Sequence, residues 1–589
     1  MLHKWLLKNI VADYDKISKK LNISTTMCRL LFNRNIRDYN QIVTFLSPTL
    51  DKLHNPRKMK DIEKGSSIIL DAIVHHKKIR ISSDYDSDGV VSLTVLLIAL
   101  QRCGADVDYV IPDRVKDGYG INERIVTEAK KDGIDVILTC DNGIAAVESI
   151  QLAKDLGLKV IVTDHHDVPF QEDEKGNKTY ILPPADAIIN PKRSDCSYKF
   201  DKLCGAGVAL KLIQVVFDEL NIPQIEAYQL LQFVAIATVC DVVDLVDENR
   251  IIVDEGLKHI NSTSNIGLRA LIEATGLDEK KIGTYELGFK LGPCINASGR
   301  LESAEIATEL FMTKSPEKAK EYAKKLYELN EQRKEITVQG IDSVIKSIES
   351  SSICNDKVIV VYEPTIHESI AGIVAGRIKE KYNKPTVILT NSNDLIKGSG
   401  RSIEVYNMFE ELSKCKDILV KFGGHPMAAG LSLEKSNIDL LRNKLNNAVT
   451  LTDNDLIPTL KLDLQLDINE INYMLIEELK ELEPFGKANP RPIFGAKNIK
   501  VIQANVLGKN KNVIKLKFQL KGRGYIEAIY FGEITEFENL IRKKIGEKAV
   551  AKLHDGGITT DILIDIAYRP EINEFRGNKK IQLIIDNFK

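Results

Sequence analysis

Short apolar segments alternate with longer amphipathic segments in the first half of the chain. Four segments rich in β-branched residues follow one another from about Lys78, and residues with helical spacing separate them. The apolar segments are Ile79–Ser83, Val107–Ile111, Asp135–Thr139 and Lys159–Thr163, and the amphipathic ones are Val90–Arg102, Asn122–Lys131 and Ala145–Leu156. This alternation predicts a doubly wound parallel sheet.

Other patterns flank this region. Residues 1 to about 50 read as short helices, and Pro316–Ser350 predicts a long connecting helix. A second α/β pattern runs from Lys357 to Gly430. From about Thr459 strands dominate, and a small closed β-barrel is expected from the segments Val501–Val506, Val513–Leu520 and Tyr525–Phe531. The chain is therefore expected to be a multidomain α/β protein.

Composition places the chain among ordinary globular proteins. Its 589 residues are 43% hydrophobic and 28% charged, so several domains with sizeable cores are expected. No apolar run reaches the roughly 18 residues that a membrane span needs, and the start of the chain lacks a cleavable leader pattern, which favours a cytoplasmic protein. The nine cysteines form no CxxC pair, so they are expected to be reduced core thiols rather than disulfides or zinc ligands.

Charge is unevenly distributed. The net charge is −2, but Phe485–Lys589 contains 20 Lys and Arg against 11 Asp and Glu. A basic C-terminal region therefore follows a more acidic body. A solvated surface can produce such a bias by chance, so alone it is a weak indication of a polyanionic ligand.

Acidic residues follow three of the predicted strands. Asp84, Asp86 and Asp88 alternate within the turn that follows Ile79–Ser83. Helix capping alone is one interpretation, whereas an EF-hand is excluded because Val95 stands where that loop needs its twelfth-position Glu.

The pattern recurs at other segment ends. Cys140-Asp141-Asn142-Gly143 and Asp164-His165-His166-Asp167 follow two further strands, and Asp241 follows the apolar run Phe233–Cys240. Oxygen and imidazole donors that converge on one crevice favour Mn²⁺ or Mg²⁺ over zinc. Two such ions would support hydrolysis of a phosphoester or phosphoanhydride.

These strings resemble the four motifs of the DHH phosphoesterase superfamily: DYDSDG, CDNG, VTDHHD and ATVCDVVD. NASGRLESA, GSGRS and FGGHPMAAG are similar to motifs of the RecJ family and of its DHHA1 lobe. EPFGKANPRPIF resembles the entrance to the oligonucleotide-binding (OB) barrel of that family. The departure is Ala488, where the family usually has glycine, and it puts only a local turn in doubt.

The resemblance implies a division of the chain. It places an N-terminal helical segment at residues 1–55, a DHH catalytic domain at 56–265, a helical region with the long helix at 266–350, a DHHA1 domain at 351–452 and an OB-fold nucleic-acid-binding domain at 453–589.

The resemblance also implies residue roles. One metal ion would be held by Asp84, Asp86 and Asp141, and a second by Asp88, Asp141, His165 and Asp241, so that Asp141 bridges them. Asp141, His165 and His166 are the expected catalytic residues, with His166 placed to contact the scissile phosphate and Asp164 to orient a ligand. The expected substrate-binding residues are Arg114, Arg300, Ser399, Arg401 and His425, and Arg300 is expected to lie in a glycine-containing turn.

Two further patterns have competing interpretations. Gly205-Ala206-Gly207 lacks the third glycine and the preceding strand of a dinucleotide site, and a tight helix entry explains it better. Basic and aromatic residues interleave at Lys515, Lys517, Phe518, Lys521, Arg523 and Tyr525. A stacking surface for single strands and a simple in–out alternation of a strand explain these residues equally well.

The function that the resemblance implies is a 5′ to 3′ exonuclease specific for single-stranded DNA. Such an enzyme uses two Mn²⁺ or Mg²⁺ ions, releases 5′-mononucleotides and acts in DNA recombination and repair. The implied partners are single-stranded DNA, a helicase and a single-strand-binding protein, with no membrane and a monomeric state.

Alternatives are a short DHH phosphodiesterase for oligoribonucleotides or cyclic dinucleotides, which typically lacks the barrel, and a scaffold that has lost its ligands. A soluble pyrophosphatase is disfavoured. The resemblance implies that such an enzyme has a histidine at the position where this chain has Asp84.

Overall fold

The first described residues form a strand and three short helices. The computed structural model describes residues 3–173, 176–392, 395–508, 512–522, 524–575 and 577–589. Its first elements are β1 (Lys4–Leu7), α1 (Tyr14–Leu21), α2 (Thr25–Asn33) and α3 (Tyr39–Leu46). Side chains of Asp13, Ser24 and Asp38 accept hydrogen bonds from the first turns of the three helices, which explains where each begins. The sequence predicted these helices but missed β1.

The alternating segments form a five-stranded parallel sheet. Its strands are β2 (Lys78–Ser82), β3 (Asp106–Val110), β4 (Val136–Cys140), β5 (Lys159–Thr163) and β8 (Ala187–Ile189), in the spatial order β3-β2-β4-β5-β8. A small hairpin separates β5 from β8 and consists of β6 (Phe170–Glu172) and β7 (Lys178–Tyr180). The predicted sheet is confirmed, with strand ends displaced by at most one residue.

Helices cover both faces of this sheet. They are α4 (Ile62–Val74), α5 (Ser87–Arg102), α6 (Glu123–Lys131) and α7 (Val147–Asp155). One buried cluster joins α4 and α5 to Ile79, Leu138 and Ile161, and another joins α6 and α7 to Ile137 and Val160. Neighbouring residues of one strand thus face opposite layers, as a doubly wound sheet requires.

A helical region follows, and it contains the long helix. Its elements are α8 (Gly205–Glu219), α9 (Gln224–Tyr228), α10 (Leu231–Cys240), α11 (Asp247–Ile260), α12 (Ile266–Ala274), α13 (Thr284–Glu286), α14 (Gly292–Leu301), α15 (Glu305–Met312) and α16 (Pro316–Glu349). The π-helical turn Leu287–Leu291 joins α13 to α14. In the predicted connecting helix, α16, the buried residues include Ala319, Ala323, Leu326 and Leu329.

The second lobe is a mixed five-stranded sheet. Its strands are β9 (Ile359–Tyr362), β10 (Thr386–Ser392), β11 (Leu395–Arg401), β12 (Lys421–His425) and β13 (Ala428–Leu433), in the order β12-β13-β11-β10-β9. Three helices accompany it: α17 (Glu368–Tyr382), α18 (Met408–Ser413) and α19 (Ile438–Ala448). Residues 48–456 together form one compact unit of the chain.

The remaining residues build a barrel in a second compact unit, which contains residues 3–47 and 457–589. Its later elements are β14 (Thr459–Leu462), β15 (Leu464–Gln465), α20 (Tyr473–Lys480), β16 (Phe494–Leu507), β17 (Val513–Gln519), β18 (Tyr525–Tyr530), α21 (Ile534–Ile545), α22 (Glu547–His554), β19 (Ile558–Thr559), β20 (Leu563–Phe575) and β21 (Asn578–Phe588). The pairings β16-β17-β18-β21-β20 close because β20 also pairs with β16, so the closed barrel is confirmed.

Within this unit the first and last parts of the chain lie together. Strand β1 pairs in parallel with β14, and Trp5 Nε1 donates a hydrogen bond to Asn587 Oδ1 at 3.0 Å. The five-part division expected from the sequence stays a prediction.

Ala488 occupies a left-handed backbone conformation, with φ of 62°. This conformation is unfavourable for an L residue other than glycine, so Ala488→Gly is expected to raise the free energy of unfolding by roughly 0.5–1 kcal/mol. Urea unfolding monitored by fluorescence measures this change, because Trp5 is the only tryptophan and belongs to the same unit.

The matched control for Ala488→Gly is Ala551→Gly. Ala551 is exposed in helix α22, where glycine should lower stability by about 1 kcal/mol. A lower unfolding free energy for both variants would contradict the strain assigned to Ala488.

Two predictions about the whole chain concern membranes and cysteines. Among the residues that the structure describes, no helix is both long enough and apolar enough to span a membrane. All nine cysteines are free thiols in the structure. Five are buried and three are half-buried, but Cys354 is exposed, so the expectation of a core thiol is wrong for Cys354.

Candidate metal centre and phosphate-binding residues

The acidic residues lie where adjacent parallel strands end. Asp84 follows β2, Asp141 follows β4 and Asp164 follows β5, and these three strands are neighbours in the sheet. Loops at the carboxyl edge of a parallel sheet converge on one crevice, so the side chains meet although they lie far apart in sequence.

Asp86 has a capping role in the turn after β2. Its Oδ1 accepts hydrogen bonds from Asp88 N at 2.9 Å and Gly89 N at 3.1 Å, so it caps α5. Gly89 is required here because a Cβ at this position would lie 2.4 Å from the carbonyl oxygen of Asp84. Among the described residues, capping of α5 therefore involves one oxygen of Asp86.

Three groups of side chains bring possible ligand atoms within 4.8 Å of one another. They are Asp84 with Asp86 and Asp141, Asp88 with His165 and Asp241, and Asp141 with His165 and His166. His165 Nε2 lies 3.1 Å from Asp141 Oδ1, 3.6 Å from Asp88 Oδ2 and 3.7 Å from Asp241 Oδ2. Asp141 belongs to two of the groups and therefore joins two adjoining clusters.

Backbone amides of α8 hold Asp88 in place. Gly205 N donates to Asp88 Oδ2 at 2.6 Å, and Ala206 N donates to Asp88 Oδ1 at 2.8 Å. A Cβ on Gly205 would lie 2.7 Å from the Cβ of Asp141, so glycine also lets α8 approach the cluster. The Gly205-Ala206-Gly207 sequence is thus a tight helix entry whose first amides orient an acidic side chain.

The acids repel one another in the absence of cations. Burial and the charge of Asp86 raise the pKa of Asp84 well above its usual value, and burial and the charge of Asp88 do the same for Asp141. Burial, with the charges of Asp88 and Asp86, raises the pKa of Asp241 to about 8. Several buried carboxylates in one crevice are unfavourable unless positive charge neutralises them.

The donor set fits divalent metal ions. Asp84 Oδ1 is buried and has no hydrogen-bond partner among the described residues. Burial, helped by the nearby His166, lowers the pKa of His165 to about 3, so this imidazole is neutral and able to act as a ligand. Carboxylate oxygens with one or two imidazoles suit Mn²⁺ or Mg²⁺, and the residues therefore fit these ions.

His166 differs from His165 because Asp164 holds it. Burial alone would lower the pKa of His166, but the hydrogen bond to Asp164 and the surrounding carboxylates raise it to about 9. Its Nδ1 lies 2.7 Å from Asp164 Oδ1, whereas Asp141 Oδ1 is 3.9 Å away. Asp164 also accepts hydrogen bonds from the amides of Ile144, His165 and His166, so it organises the whole turn.

The predicted phosphate-binding arginines lie in three different elements. The Arg114 guanidinium lies over the Tyr85 ring at 4.5 Å, next to the acid loop. Arg300 lies in the last turn of α14 and donates to the carbonyl oxygen of Ser369, so its expected position in a glycine-containing turn is wrong. The small residues of NASGR are compatible with a turn, but they also allow a helix to pack closely against another segment. A Cβ on Gly299 would lie 2.2 Å from the carbonyl oxygen of Tyr85, so glycine lets α14 approach the acid loop.

The second lobe contributes the other expected residues. Arg401 Nη1 donates to Ser399 Oγ at 3.2 Å, and both residues lie on β11. Gly372 of α17 leaves room for the Arg401 side chain, since a Cβ there would lie 2.7 Å from its Nη2. His425 lies at the end of β12, with its Nδ1 3.9 Å from Asp167 Oδ2. The lobe therefore places His425 next to the DHH motif.

Arg114, Arg300 and Arg401 share one property. Within the described part of the chain, none of the three pairs with a carboxylate. A buried guanidinium without an acidic partner is unfavourable, and burial lowers the pKa of Arg401 and of Arg300. An anion such as phosphate would satisfy these side chains.

Sequence analysis missed Tyr119. Its hydroxyl donates to the carbonyl oxygen of Asp141 at 2.7 Å and lies 3.2 Å from His166 Nδ1. Asp141 has a φ of 60°, so its backbone needs such support. The only signal in the sequence was that Tyr119 stands between two glycines in the segment that also contains Arg114.

Tyr119→Phe is expected to lower kcat about tenfold and to change KM little. The ring keeps its packing, but the carbonyl of Asp141 loses its hydrogen bond and His166 loses the hydroxyl that lies 3.2 Å from its Nδ1. Steady-state kinetics on the substrate measure the two parameters separately. Tyr180→Phe, at an exposed tyrosine of the β6–β7 hairpin, serves as the control, and equal kcat values for both variants would refute the positioning role.

Comparisons with known proteins cover nearly the whole chain. Family models match as follows: the DHH family N-terminal domain at residues 78–238, the DHHA1 domain at 355–451 and the RecJ OB domain at 462–587. The single-stranded-DNA-specific exonuclease RecJ of Bacillus subtilis (strain 168) is 35% identical over 582 residues, which are 97% of this chain and 69% of the relative. The enzyme of the same name from Haemophilus influenzae is 33% identical over 561 residues, 92% of each chain.

A solved structure has the same fold. The crystal structure of RecJ from Thermus thermophilus in complex with Mn²⁺ matches with a TM-score of 0.81 at 25% identity, over 100% of this chain and 79% of that one. The complex of the same protein with Mg²⁺ has a TM-score of 0.76 at 24% identity, over 100% and 78%. With 35% and 33% identity to curated relatives over almost its whole length, the chain belongs to the RecJ family.

Proposed function

We propose that this protein is a 5′ to 3′ exonuclease that degrades single-stranded DNA to 5′-mononucleotides with two Mn²⁺ or Mg²⁺ ions. The observation that carries the proposal is a pair of adjoining clusters, Asp84 with Asp86 and Asp141, and Asp88 with His165 and Asp241, which the 3.1 Å contact between Asp141 and His165 joins. Two-ion sites are typical of enzymes that cleave phosphodiesters. Membership of the RecJ family supports the choice of single-stranded DNA as the substrate.

The ligand assignment follows the two clusters. Asp84, Asp86 and Asp141 would hold one ion, and Asp88, Asp141, His165 and Asp241 would hold the other. Ions bound there would supply Lewis-acid stabilisation of the phosphate oxygens and a more acidic water.

The protein's own side chains position the phosphates. Arg114 and Arg300 flank the acid loop, and Arg401 with Ser399 lies on the second lobe. We assign these residues and His425 to the phosphates near the 5′ end, because guanidinium groups recognise phosphate through paired hydrogen bonds. His166, which Asp164 orients, contacts the scissile phosphate.

The barrel supplies binding beyond the cleaved nucleotide in this proposal. Residues 453–589 form the proposed OB domain. The other proposed parts are the N-terminal segment 1–55, the DHH domain 56–265, the helical region 266–350 and the DHHA1 domain 351–452. On β17 and β18, Lys517 Nζ lies 4.6 Å from the centre of the Tyr525 ring. Phe518 is buried, so it packs in the core and is removed from the proposed stacking surface. Arg523 lies outside the described residues.

The cellular role is the part of the proposal that rests on the family alone. We propose that the enzyme is a cytoplasmic monomer that does not bind a membrane. Its proposed processes are DNA recombination and repair. A helicase would supply single strands, and a single-strand-binding protein would coat them.

Digestion of end-labelled DNA tests the proposal. Single strands with a 5′ or a 3′ label, a matched duplex and a dinucleotide are incubated with Mn²⁺, Mg²⁺ or EDTA. We expect metal-dependent release of mononucleotides from the 5′ end of the single strand and resistance of the duplex. Cleavage of the dinucleotide alone would instead favour a short-substrate phosphodiesterase, and release from the 3′ end would refute the polarity.

A further inference from the structure

Tyr285 and Phe289 form an exposed pair of stacked aromatic rings. Their centroids are 4.9 Å apart, with an angle of 26° between the ring planes. The two residues are 61% and 63% exposed, although large aromatic side chains usually contribute to a core or to an interface. The pair therefore offers a flat apolar surface in solvent that suits another planar ring.

The backbone under this pair is unusual. Phe289 lies in the π-helical turn Leu287–Leu291, and Tyr285 lies in the short helix α13 just before it. Single π-helical turns are rare, and they are frequently found at functional sites.

The segment contacts the loops of both acid clusters. Ser87, which lies between Asp86 and Asp88, donates through its Oγ to the carbonyl oxygen of Gly292 at 3.1 Å. Cys240, which precedes Asp241, donates through its Sγ to the carbonyl oxygen of Leu287 at 3.6 Å.

Distance along the helix places the rings near the metal centre. Phe289 and Tyr285 precede Gly292 by three and seven residues, which correspond to roughly 5 and 11 Å at the helical rise. Neighbouring phosphates of a DNA strand are spaced by about 3.4 Å along a duplex axis, and an extended single strand is longer per nucleotide. The rings are thus within a few nucleotides of the acid clusters.

Charge next to the rings also suits a nucleic acid. Lys290 follows Phe289 and forms no ion pair with any described residue. Lys290 thus adds positive charge to the segment that carries the rings, and surfaces that bind single strands combine stacking rings with cations that attract the backbone.

We propose that Tyr285 and Phe289 form a stacking platform for unpaired bases of the substrate, a few nucleotides from the cleaved bond. This inference rests on the proposed nuclease function and explains part of its specificity. Bases inside a duplex are paired and are covered on both faces by their neighbours, so a base several nucleotides from the end is free to stack on the platform only in a single strand.

Replacement of both rings tests the platform. In the full-length Tyr285→Ala/Phe289→Ala variant, the ratio of kcat/KM for a long 5′-labelled single strand to that for a dinucleotide is expected to fall about tenfold. The dinucleotide has only one base beyond the cleaved bond and therefore gains little from the platform, so the ratio separates the lost stacking from any change in the chemistry.

Conservative and remote variants are the controls. Tyr285→Phe and Phe289→Tyr keep the rings and should keep the wild-type ratio. Tyr327→Ala removes an exposed aromatic ring from helix α16 and should have no effect on it.

A second experiment uses the unmodified protein and substrates with one abasic nucleotide. When the abasic nucleotide is at one or two particular positions near the 5′ end, KM should rise. The same substrates should raise KM less in the double variant. A wild-type ratio in the double variant, or no abasic effect at any of the first positions, would overturn the platform. If the wild type degrades no single-stranded DNA at all, the nuclease proposal fails first and the platform falls with it.

Discussion

Asp141→Asn is expected to reduce nuclease activity at least a thousandfold. Asp141 belongs to the group with Asp84 and Asp86, and its Oδ1 lies 3.1 Å from His165 Nε2 of the group with Asp88 and Asp241, so its loss disturbs both proposed ions. Divalent ions contribute several kcal/mol to transition-state stabilisation in phosphoryl transfer, and about 4 kcal/mol corresponds to roughly a thousandfold in rate. Turnover of 5′-labelled single-stranded DNA in saturating Mn²⁺ measures the loss.

The same substitution should stabilise the metal-free protein. Burial and the charges of Asp88, Asp86 and Asp84 raise the pKa of Asp141, so its ionised form is unfavourable in the folded state near neutral pH. A neutral amide removes this repulsion. The melting temperature in EDTA is therefore expected to rise, whereas activity falls.

Asparagine is a better replacement than alanine at this position. The φ of Asp141 is 60°, a conformation that asparagine tolerates and alanine does not, so Asp141→Ala would add backbone strain. Asp201→Asn, at an exposed aspartate of the same unit, is the control and should leave both readouts at wild-type values. Activity of Asp141→Asn within tenfold of the wild type would rule out the metal assignment.

Calorimetric titration is expected to show two Mn²⁺ ions bound to the wild-type protein. It is expected to show one ion bound to Asp84→Asn and one bound to Asp241→Asn. Asp84→Asn removes a donor from the cluster with Asp86, and Asp241→Asn removes one from the cluster with Asp88 and His165. Because each cluster depends on its own carboxylates, each variant should lose one site and about a hundredfold or more in kcat.

Asp244→Asn is the matched control for the titration. Asp244 is three residues from Asp241, but its Oδ2 pairs with Lys202 Nζ at 2.5 Å and it belongs to neither cluster. Two ions should still bind. One ion in the wild type, or two in Asp84→Asn, would contradict the two-ion assignment.

The ligand clusters could be anticipated because they depend on local pattern and on one property of parallel sheets. Apolar β-branched runs identified β2, β4 and β5, and the loops after adjacent parallel strands always meet at one edge. The acids in those loops had to converge whatever the rest of the fold. The barrel was equally accessible, since its strands carry strong alternation.

Two helices of the barrel were missed although a signal was present. Helices α21 and α22 bury Phe537 and Ile541, and Val550 and Leu553, at helical spacing. Their short, highly charged segments stand between clear strands, so the strand pattern around them dominated the prediction.

The sequence by itself determined the sheet, the long helix, the barrel and the residues of the two acid clusters, because these follow from periodicity and from motifs of a few residues. Only the tertiary structure decided which distant groups complete the site. The amides of Gly205 and Ala206 that hold Asp88, the Tyr119 hydroxyl under Asp141, the helical position of Arg300 and the pairing of β1 with β14 depend on how separate elements pack. Such contacts join residues far apart in the chain, and no local pattern encodes them.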